Sequence, residues 1–173
     1  MEDIIQKIEQ WAEERNLITG STTHKQMLKL LEEFGELCGG VSKNKPEIIK
    51  DSIGDCMVVM IIMNRQLSNA INIPSLLNVV SVGLSDGEIS DEEKDSTLLL
   101  ISKNIGNLSH SIGMLEAESI IDNLALTIGT LFLLSTKFYL DFNECLQYAY
   151  EQIKDRKGKM IDGVFIKEDD LPA

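Results

Sequence analysis

The sequence predicts an all-α fold, a single helical domain over residues 1–173 formed as a bundle of about five to six helices. Only three prolines, Pro46, Pro74 and Pro172, interrupt the 173 residues, and alternation of apolar and polar residues typical of strands is scarce. A chain of this length can bury a substantial core as one domain. We therefore expect helices to supply nearly all of the structure.

Local signals set the first three helices. The first is predicted from about Glu2 to Arg15, and the second from about Thr23 to Ser42 after the capping-box pattern Thr23-x-x-Gln26. Pro46 in a first turn opens the third helix, which we expect to continue to about Gln66, because proline is tolerated where the backbone N–H has no helical partner.

Similar signals set the remaining elements. Asn72 before Pro74 starts a short fourth helix, and Asp86 to Asp95 is an acidic link. The remaining expectations are a helix capped by Ser90-x-x-Glu93 through Met114, one over about Ser119 to Phe138, a last helix from Asp141-x-x-Glu144 to near Gly158, and an extended C-terminal tail, 159–173, docked through Val164, Phe165 and Ile166.

Part of the sequence is repeated. Residues 28–45 align over 99–116, and with four extra residues in the following loop Ser52-Ile53-Gly54-Asp55 falls over Thr127-Ile128-Gly129-Thr130. Glycines and apolar residues persist between the copies, whereas every carboxylate of the first copy is replaced. We interpret this as a tandem duplication of about 28–81 and 99–150 with a degenerate, acid-free second copy. Chance similarity of two apolar helical pairs is the alternative.

Composition excludes several classes of partner. The net charge of -12 disfavours a nucleic-acid polymer, whose phosphates need Lys and Arg, but allows a small phosphorylated ligand held through a divalent cation. Met1-Glu2-Asp3 lacks a secretory signal's basic start, and the longest apolar run, 56–63, is too short to span a bilayer. We expect a cytoplasmic protein with no membrane partner and with free, buried thiols at its three cysteines.

Acidic residues occur in two clusters. Glu32, Glu33 and Glu36 share a helical face opposite a broad apolar arc, and the simplest interpretation of them alone is a solvated surface. Asp51 and Asp55 lie one turn apart on a helix that is apolar all round from residue 56 to 63, where an ionised carboxylate is costly unless it is paired. A bound metal is one such partner. A hydrogen-bonded or protonated Asp55 is the alternative.

The donor set favours particular metals. Oxygen ligands from two facing helices suit Mg²⁺, with Mn²⁺ as an alternative, and do not suit zinc. Neither of the two histidines, His24 and His110, stands in a Glu-x-x-His pattern, which disfavours a di-iron site.

Glu32-Glu33-x-x-Glu36 followed after fifteen residues by Ser52-Ile53-Gly54-Asp55 resembles the metal motif of the all-alpha nucleoside triphosphate pyrophosphatases, the MazG-like superfamily that includes dimeric dUTPases. The resemblance covers most of the chain. It implies a Mg²⁺-dependent hydrolase that cleaves between the alpha and beta phosphates of a nucleotide, releasing a nucleoside monophosphate and pyrophosphate. Nucleotide-pool house-cleaning is the expected role, and removal of dUTP or dCTP and broad triphosphate hydrolysis also remain open.

The same resemblance assigns residues by position. Glu33, Glu36 and Asp55 would be metal ligands, and Glu32 an outer ligand or water-orienting base, so that Glu32 and Glu33 would act in catalysis. This chain has Ser52 where the family has Glu. Either Asp51 substitutes as a ligand, or the site is weaker or binds fewer ions.

Substrate contacts are expected elsewhere in the chain. The densest basic cluster consists of Lys154, Arg156, Lys157 and Lys159. We predict that these residues bind substrate phosphates; ordinary cations at a helix C-terminus are the alternative. Trp11 or Tyr148 would suit stacking on a base, although lone aromatics on amphipathic helices more often belong to the core.

The resemblance also bears on assembly. Single-copy relatives are two-chain bundles, so the second copy here would replace a partner chain and leave one site per chain, and a homodimer of this pseudo-dimer is compatible with it. Two other functions remain open: a catalytically inactive helical interaction or regulatory module, and an enzyme similar to phosphoribosyl-ATP pyrophosphatase.

Overall fold

The computed structural model describes residues 1–83 and 90–170 and is mostly helical, which confirms the all-α prediction at that level. Its elements are α1 (Glu2–Glu14), α2 (Thr23–Ser42), α3 (Pro46–Gln66), α4 (Ile73–Val82), α5 (Asp91–Met114), α6 (Ala117–Lys137), α7 (Phe142–Ile153), β1 (Gly158–Ile161), β2 (Val164–Lys167) and a terminal 3-10 turn (Glu168–Asp170). The described residues form seven α-helices, one more than the predicted total of five to six, and each of the seven corresponds to an element that the local signals predict. The short α4 and α7, of 10 and 12 residues, are separate helices.

Helix starts follow the local signals closely. The Ser90–Glu93 capping box is present in both directions, and the side chains of Asn72 and Asp141 cap α4 and α7. The box predicted at Thr23 is wrong, because the N-cap of α2 is Thr22, whose side chain accepts from the backbone N–H of Lys25. Of the predicted acidic link, residues 86–89 lie outside the described residues, and the rest is the cap and first turn of α5.

The two halves of the chain repeat one pattern of contacts. Helix α2 packs along α3, and α5 packs along α6; each half then lends its short third helix to the other, with α7 against α3 and α4 against α6. A Cβ at Gly54 would meet Ala149 of α7 at 2.7 Å, and one at the aligned Gly129 would meet Val80 of α4 at 3.4 Å. A duplication predicts such an arrangement. Duplication itself stays a prediction.

The centre of the bundle is α3. Every residue from Cys56 to Asn64 is buried, as expected for a helix that is apolar all round. Helix α6 is the one described helix long and apolar enough to cross a membrane, yet half of that window is buried inside the bundle. That burial is consistent with a core helix of a soluble protein. Two of the three cysteines are buried and Cys38 is half-buried, and all three are free, as predicted apart from the partial exposure of Cys38.

On α2 the predicted faces need correction. Leu28 and Leu31 belong to the apolar arc by helical periodicity, yet they are 63% and 43% exposed. Glu33 was placed on the solvated face but is only 7% exposed. The buried stripe of α2 is therefore rotated toward α3 from the expected position, and it includes one carboxylate.

The tail forms a β-hairpin. β1 and β2 pair antiparallel from Gly158–Lys167 to Ile161–Val164, joined by Asp162 and Gly163, both at positive φ. Positive φ at both central residues is characteristic of the tight turn that Asp-Gly favours. Phe165 docks against the core, with its ring centroid 6.4 Å from that of Trp11, whereas Val164 is 42% exposed. Residues 171–173 of the predicted tail lie outside the described residues.

Candidate functional site

A cavity of about 150 Å³ opens between α1, α2, α3, the end of α7 and the hairpin. We call it the hairpin cavity. One part of its wall is apolar, formed by Trp11, Leu17, Val58, Val59, Ile62, Ile153, Val164 and Phe165. The other part carries charge and polar groups, from Lys25, Gln26, Lys29, Glu33, Asp55, Arg156 and Lys167, with the backbone of Gly163. An apolar pocket with a few convergent polar groups is the usual form of a small-ligand site.

Carboxylates of α2 and α3 face each other at this cavity. The pKa of Asp55 is raised to about 7, first by burial and then by the negative charges of Glu33 and Asp51, while Arg156 and Lys29 act in the opposite direction. Burial and Glu33 also raise the pKa of Asp51. Asp51 and Asp55 therefore both experience the negative charge of Glu33 on the facing helix, and the local cations do not fully offset burial and repulsion at these two aspartates.

Lys29 neutralises part of the negative charge of these carboxylates. Its Nζ lies 2.6 Å from Oε1 of Glu33 and 3.0 Å from Oε1 of Glu32. Burial lowers the pKa of Lys29, but hydrogen bonds and attraction to Glu33 and Glu32 outweigh burial and raise it overall. The ammonium group therefore stays charged and neutralises the buried Glu33. A cation bound to Glu33 would have to take the same position.

Arg156 is held at the cavity by contacts of α1 with the end of α7. The Arg15 side chain donates from Nη2 to the carbonyl of Lys154 at 2.8 Å and from Nε to that of Arg156 at 3.1 Å. Trp11 donates from Nε1 to the carbonyl of Ile153 at 2.8 Å, and the Arg15 guanidinium lies over its ring. These bonds satisfy carbonyl groups that a helix end leaves free, which explains why α7 ends at Ile153 and not near Gly158.

The structure brings together some of the predicted site residues. Glu33, Asp55 and Arg156 line the hairpin cavity, and Asp51 lies within electrostatic range of them, with its Oδ1 accepting from Gln152 Nε2 at 3.3 Å. Ser52 is 2% exposed and belongs to the core. Its neighbour Asp51 lies beside the charged residues of the cavity instead.

Other predicted residues lie apart from the cavity lining. Glu32 and Glu36 are exposed, and Glu32 contacts Lys29 from outside. Lys154 pairs with Glu151 at 2.5 Å, and Lys157 and Lys159 are exposed. The four cations were expected to act together, but a helix end, a loop and a strand separate their side chains.

Lys25, Lys29, Gln26 and Lys167 also line the cavity and were not predicted. A sequence signal existed for two of them. Lys25 and Lys29 are spaced by four residues, and Glu33 follows after four more, which places all three on one face of α2.

Oxygen donors from Glu33, Asp51 and Asp55 match the chemistry of Mg²⁺ and Mn²⁺. Within residues 1–83 and 90–170, however, no three acidic, histidine or cysteine side chains are arranged closely enough to hold an ion between them. The donor set therefore fits a hard cation in the type of its ligand atoms. Lys29 would have to release Glu33 for an ion to bind there.

Part of the chain is similar to a phage protein. A segment of 66 residues, 38% of the chain, is 64% identical to an uncharacterized 18.2 kDa protein from the rep-hol intergenic region of Haemophilus phage HP1 (strain HP1c1). The match spans 40% of that protein's length. No family model matches the chain. No solved structure matches it either.

Proposed function

We propose that this protein is a divalent-cation-dependent nucleoside triphosphate pyrophosphohydrolase that releases a nucleoside monophosphate and pyrophosphate. One observation carries the proposal: Glu33 of α2 and Asp55 of α3 line one cavity, with Asp51 nearby, and the same cavity presents Lys25, Lys29 and Arg156. A group of carboxylates beside several cations is suited to a metal-bound polyphosphate, in which both signs of charge must be balanced.

Each part of the site has a role in this proposal. Glu33, Asp55 and Asp51 would hold Mg²⁺ or Mn²⁺, with Glu36 and Glu32 as outer groups on the same helix. The ion, when bound, would neutralise phosphate charge and acidify a bound water. Phosphate oxygens would be bound by Arg156, Lys25, Lys29 and Lys167. Once Lys29 has released it, the carboxylate of Glu32 or Glu33 would orient the attacking water.

The test is pyrophosphate release from a panel of NTPs, dNTPs and phosphoribosyl-ATP, with Mg²⁺, with Mn²⁺ and with a chelator. We expect cation-dependent turnover that Asp55→Asn and Glu33→Gln reduce by on the order of a hundredfold or more. Asp122→Asn, an exposed position on α6, is the matched control and should keep full activity. Turnover of phosphoribosyl-ATP and of no other nucleotide would favour the enzyme similar to phosphoribosyl-ATP pyrophosphatase.

A second candidate is a catalytically inactive interaction or regulatory module. The Lys29–Glu33 ion pair favours it, because this contact neutralises the most buried acid without any metal. A folded protein that releases no pyrophosphate from any nucleotide, and whose unfolding temperature is unchanged by Mg²⁺ or Mn²⁺, would support this candidate and contradict the enzyme.

A further inference from the structure

The inner part of the hairpin cavity is built for an apolar, planar group. Val58, Val59 and Ile62 of α3 form one side of it, and Trp11 and Phe165 meet edge to face on another, with their ring planes at 62°. The charged groups Glu33, Asp55 and Arg156 belong to the same cavity, so a ligand that fills it presents an apolar ring and a charged portion together.

Size limits that ring. The cavity volume is about 150 Å³. An engineered protein cavity of about 150 Å³ lined by Leu, Ile and Phe accepts benzene, a single six-membered ring. A fused two-ring system needs correspondingly more room, and the packed residues of α3 that would have to move are almost fully buried.

The hairpin wall is fixed in place by polar contacts. Ser21 Oγ donates to the carbonyl of Gly163 in the hairpin turn at 2.7 Å, and Gln26 Nε2 donates to Ser21 Oγ at 3.0 Å. Gln26 is 5% exposed and lines the cavity, so its amide is the buried, uncharged polar group available to the edge of a ring. Buried amides of this kind provide specificity in otherwise apolar pockets.

We infer that the hairpin cavity binds a single-ring heteroaromatic base, so that the protein selects pyrimidine over purine nucleotides, with the ring between Trp11, Phe165 and α3 and the phosphates at Glu33, Asp55 and Arg156. This inference deepens the proposed function and depends on it for the identity of the ligand as a nucleotide. Gln26 is the residue that contacts the polar edge of the ring.

Trp11 makes the inference directly measurable, because it is the only tryptophan of the chain and it lines the cavity. The full-length protein is titrated, with Mg²⁺ present, with UMP, CMP, AMP and GMP, and tryptophan emission is followed, with calorimetry as a second readout. We expect saturable changes in emission with UMP or CMP, and binding of AMP and GMP weaker by on the order of tenfold or more. Ribose 5-phosphate and pyrophosphate should leave the emission unchanged.

Matched variants locate the ring. Val58→Leu adds a methylene inside the cavity and should abolish the pyrimidine response, whereas Val79→Leu adds the same group at a position that is 73% exposed and outside the lining, and should preserve it. Far-UV circular dichroism confirms that both variants are folded. Equal binding of purines, an emission change with ribose 5-phosphate, no response to any nucleotide, or an unaltered response in Val58→Leu would each overturn the inference.

The experiment also separates this inference from the proposed function. Metal-dependent pyrophosphate release without selective pyrimidine binding would overturn the inference and leave the hydrolase in place. Selective pyrimidine binding without pyrophosphate release would support the ring site and contradict the hydrolase.

Discussion

Asp55 is the carboxyl group of the site whose pKa its surroundings shift most. It receives repulsion from Glu33 on the facing helix and from Asp51 on its own helix, and attraction from Arg156 and Lys29. Burial is the largest of these effects and opposes ionisation. A carboxylate with a pKa of about 7 is half protonated near neutral pH, and a cation bound beside it would favour the ionised form and lower this pKa.

Asp55→Asn should therefore stabilise the metal-free protein at alkaline pH. The pKa of Asp55 rises from 3.8 in the unfolded chain to about 7 when folded, so between these values only the folded state holds the proton. The free energy of unfolding consequently falls as pH rises from about 4 to 7 and stays low above 7. We expect the free energy of unfolding of the variant to exceed that of the wild type by roughly 2–4 kcal/mol near pH 8 and to equal it near pH 4.

Urea unfolding at both pH values, with a chelator present, measures this difference. Asp122→Asn on the surface of α6 should change neither value, and serves as the control for the loss of one negative charge. An Asp55→Asn variant less stable than the wild type near pH 8 would mean that the ionised Asp55 is well paired in the folded protein.

Lys29→Met tests whether the ammonium group occupies the position of a cation. Removing it leaves Glu33 buried without its partner at 2.6 Å, so the metal-free variant should lose about 1–3 kcal/mol of unfolding free energy. The same change should tighten Mn²⁺ binding several-fold in calorimetry, because Glu33 no longer has to be released. Lys43→Met, at an exposed residue beyond the end of α2, is the control. Unchanged Mn²⁺ affinity in Lys29→Met would exclude competition for Glu33.

At the scale of elements, the site depends on two contacts of α7. Its C-terminal carbonyls accept hydrogen bonds from Trp11 and Arg15 of α1, which holds Arg156 beside the carboxylates. Its other side lies directly against Gly54, one residue before Asp55, so the close approach of α7 to α3 requires a residue without a side chain.

Gly54→Ala should therefore be far more disruptive than Gly129→Ala at the aligned position of α6. A Cβ at Gly54 would collide with the Cys145 carbonyl and Ala149, whereas the nearest atom to a Cβ at Gly129 is 3.4 Å away, an ordinary contact. We expect Gly54→Ala to cost about 3 kcal/mol of unfolding free energy by overpacking, and Gly129→Ala to change it by at most about 1 kcal/mol. Thermal and urea unfolding of both variants decides this, and equal losses would contradict it.

At the scale of the whole molecule, neither half of the chain closes its own core. The first half supplies α4 to the second, and the second half supplies α7 to the first, while α3 and α6 pack together in the centre. The carboxylates come from the first half and Arg156 from beyond α7, so the site is complete only when both halves are assembled.

Fragments 1–86 and 87–173 should each be largely unfolded alone and should recover native helicity as a 1:1 complex when mixed, because the other half covers a large part of the apolar surface of α3 and of α6. Circular dichroism and light scattering on separate and mixed fragments measure this. Gly54→Ala in the first fragment should weaken assembly, whereas Gly129→Ala in the second should not. Cooperative unfolding of either fragment alone would show two independent domains.

The sequence by itself determined most helix boundaries, because their signals are local. Ser90 with Glu93, Pro46 in a first turn and Asp141 before α7 act within a few residues, and the helices begin where they indicate. The cost of an acid beside a fully apolar stretch also pointed to Asp55 without a structure. The Asp162-Gly163 pair was an equally local signal for the hairpin, and the prediction of an extended tail stopped short of it.

Only the tertiary structure decided how these parts meet. Whether Glu33 faces solvent or α3 depends on the rotation of α2 in the bundle, and the end of α7 depends on side chains of α1 that are far away in the chain. The cavity itself joins Trp11 to Phe165, near the two chain ends. Helical periodicity determines which residues share a face, but long-range packing determines which faces touch, and therefore which residues form a site.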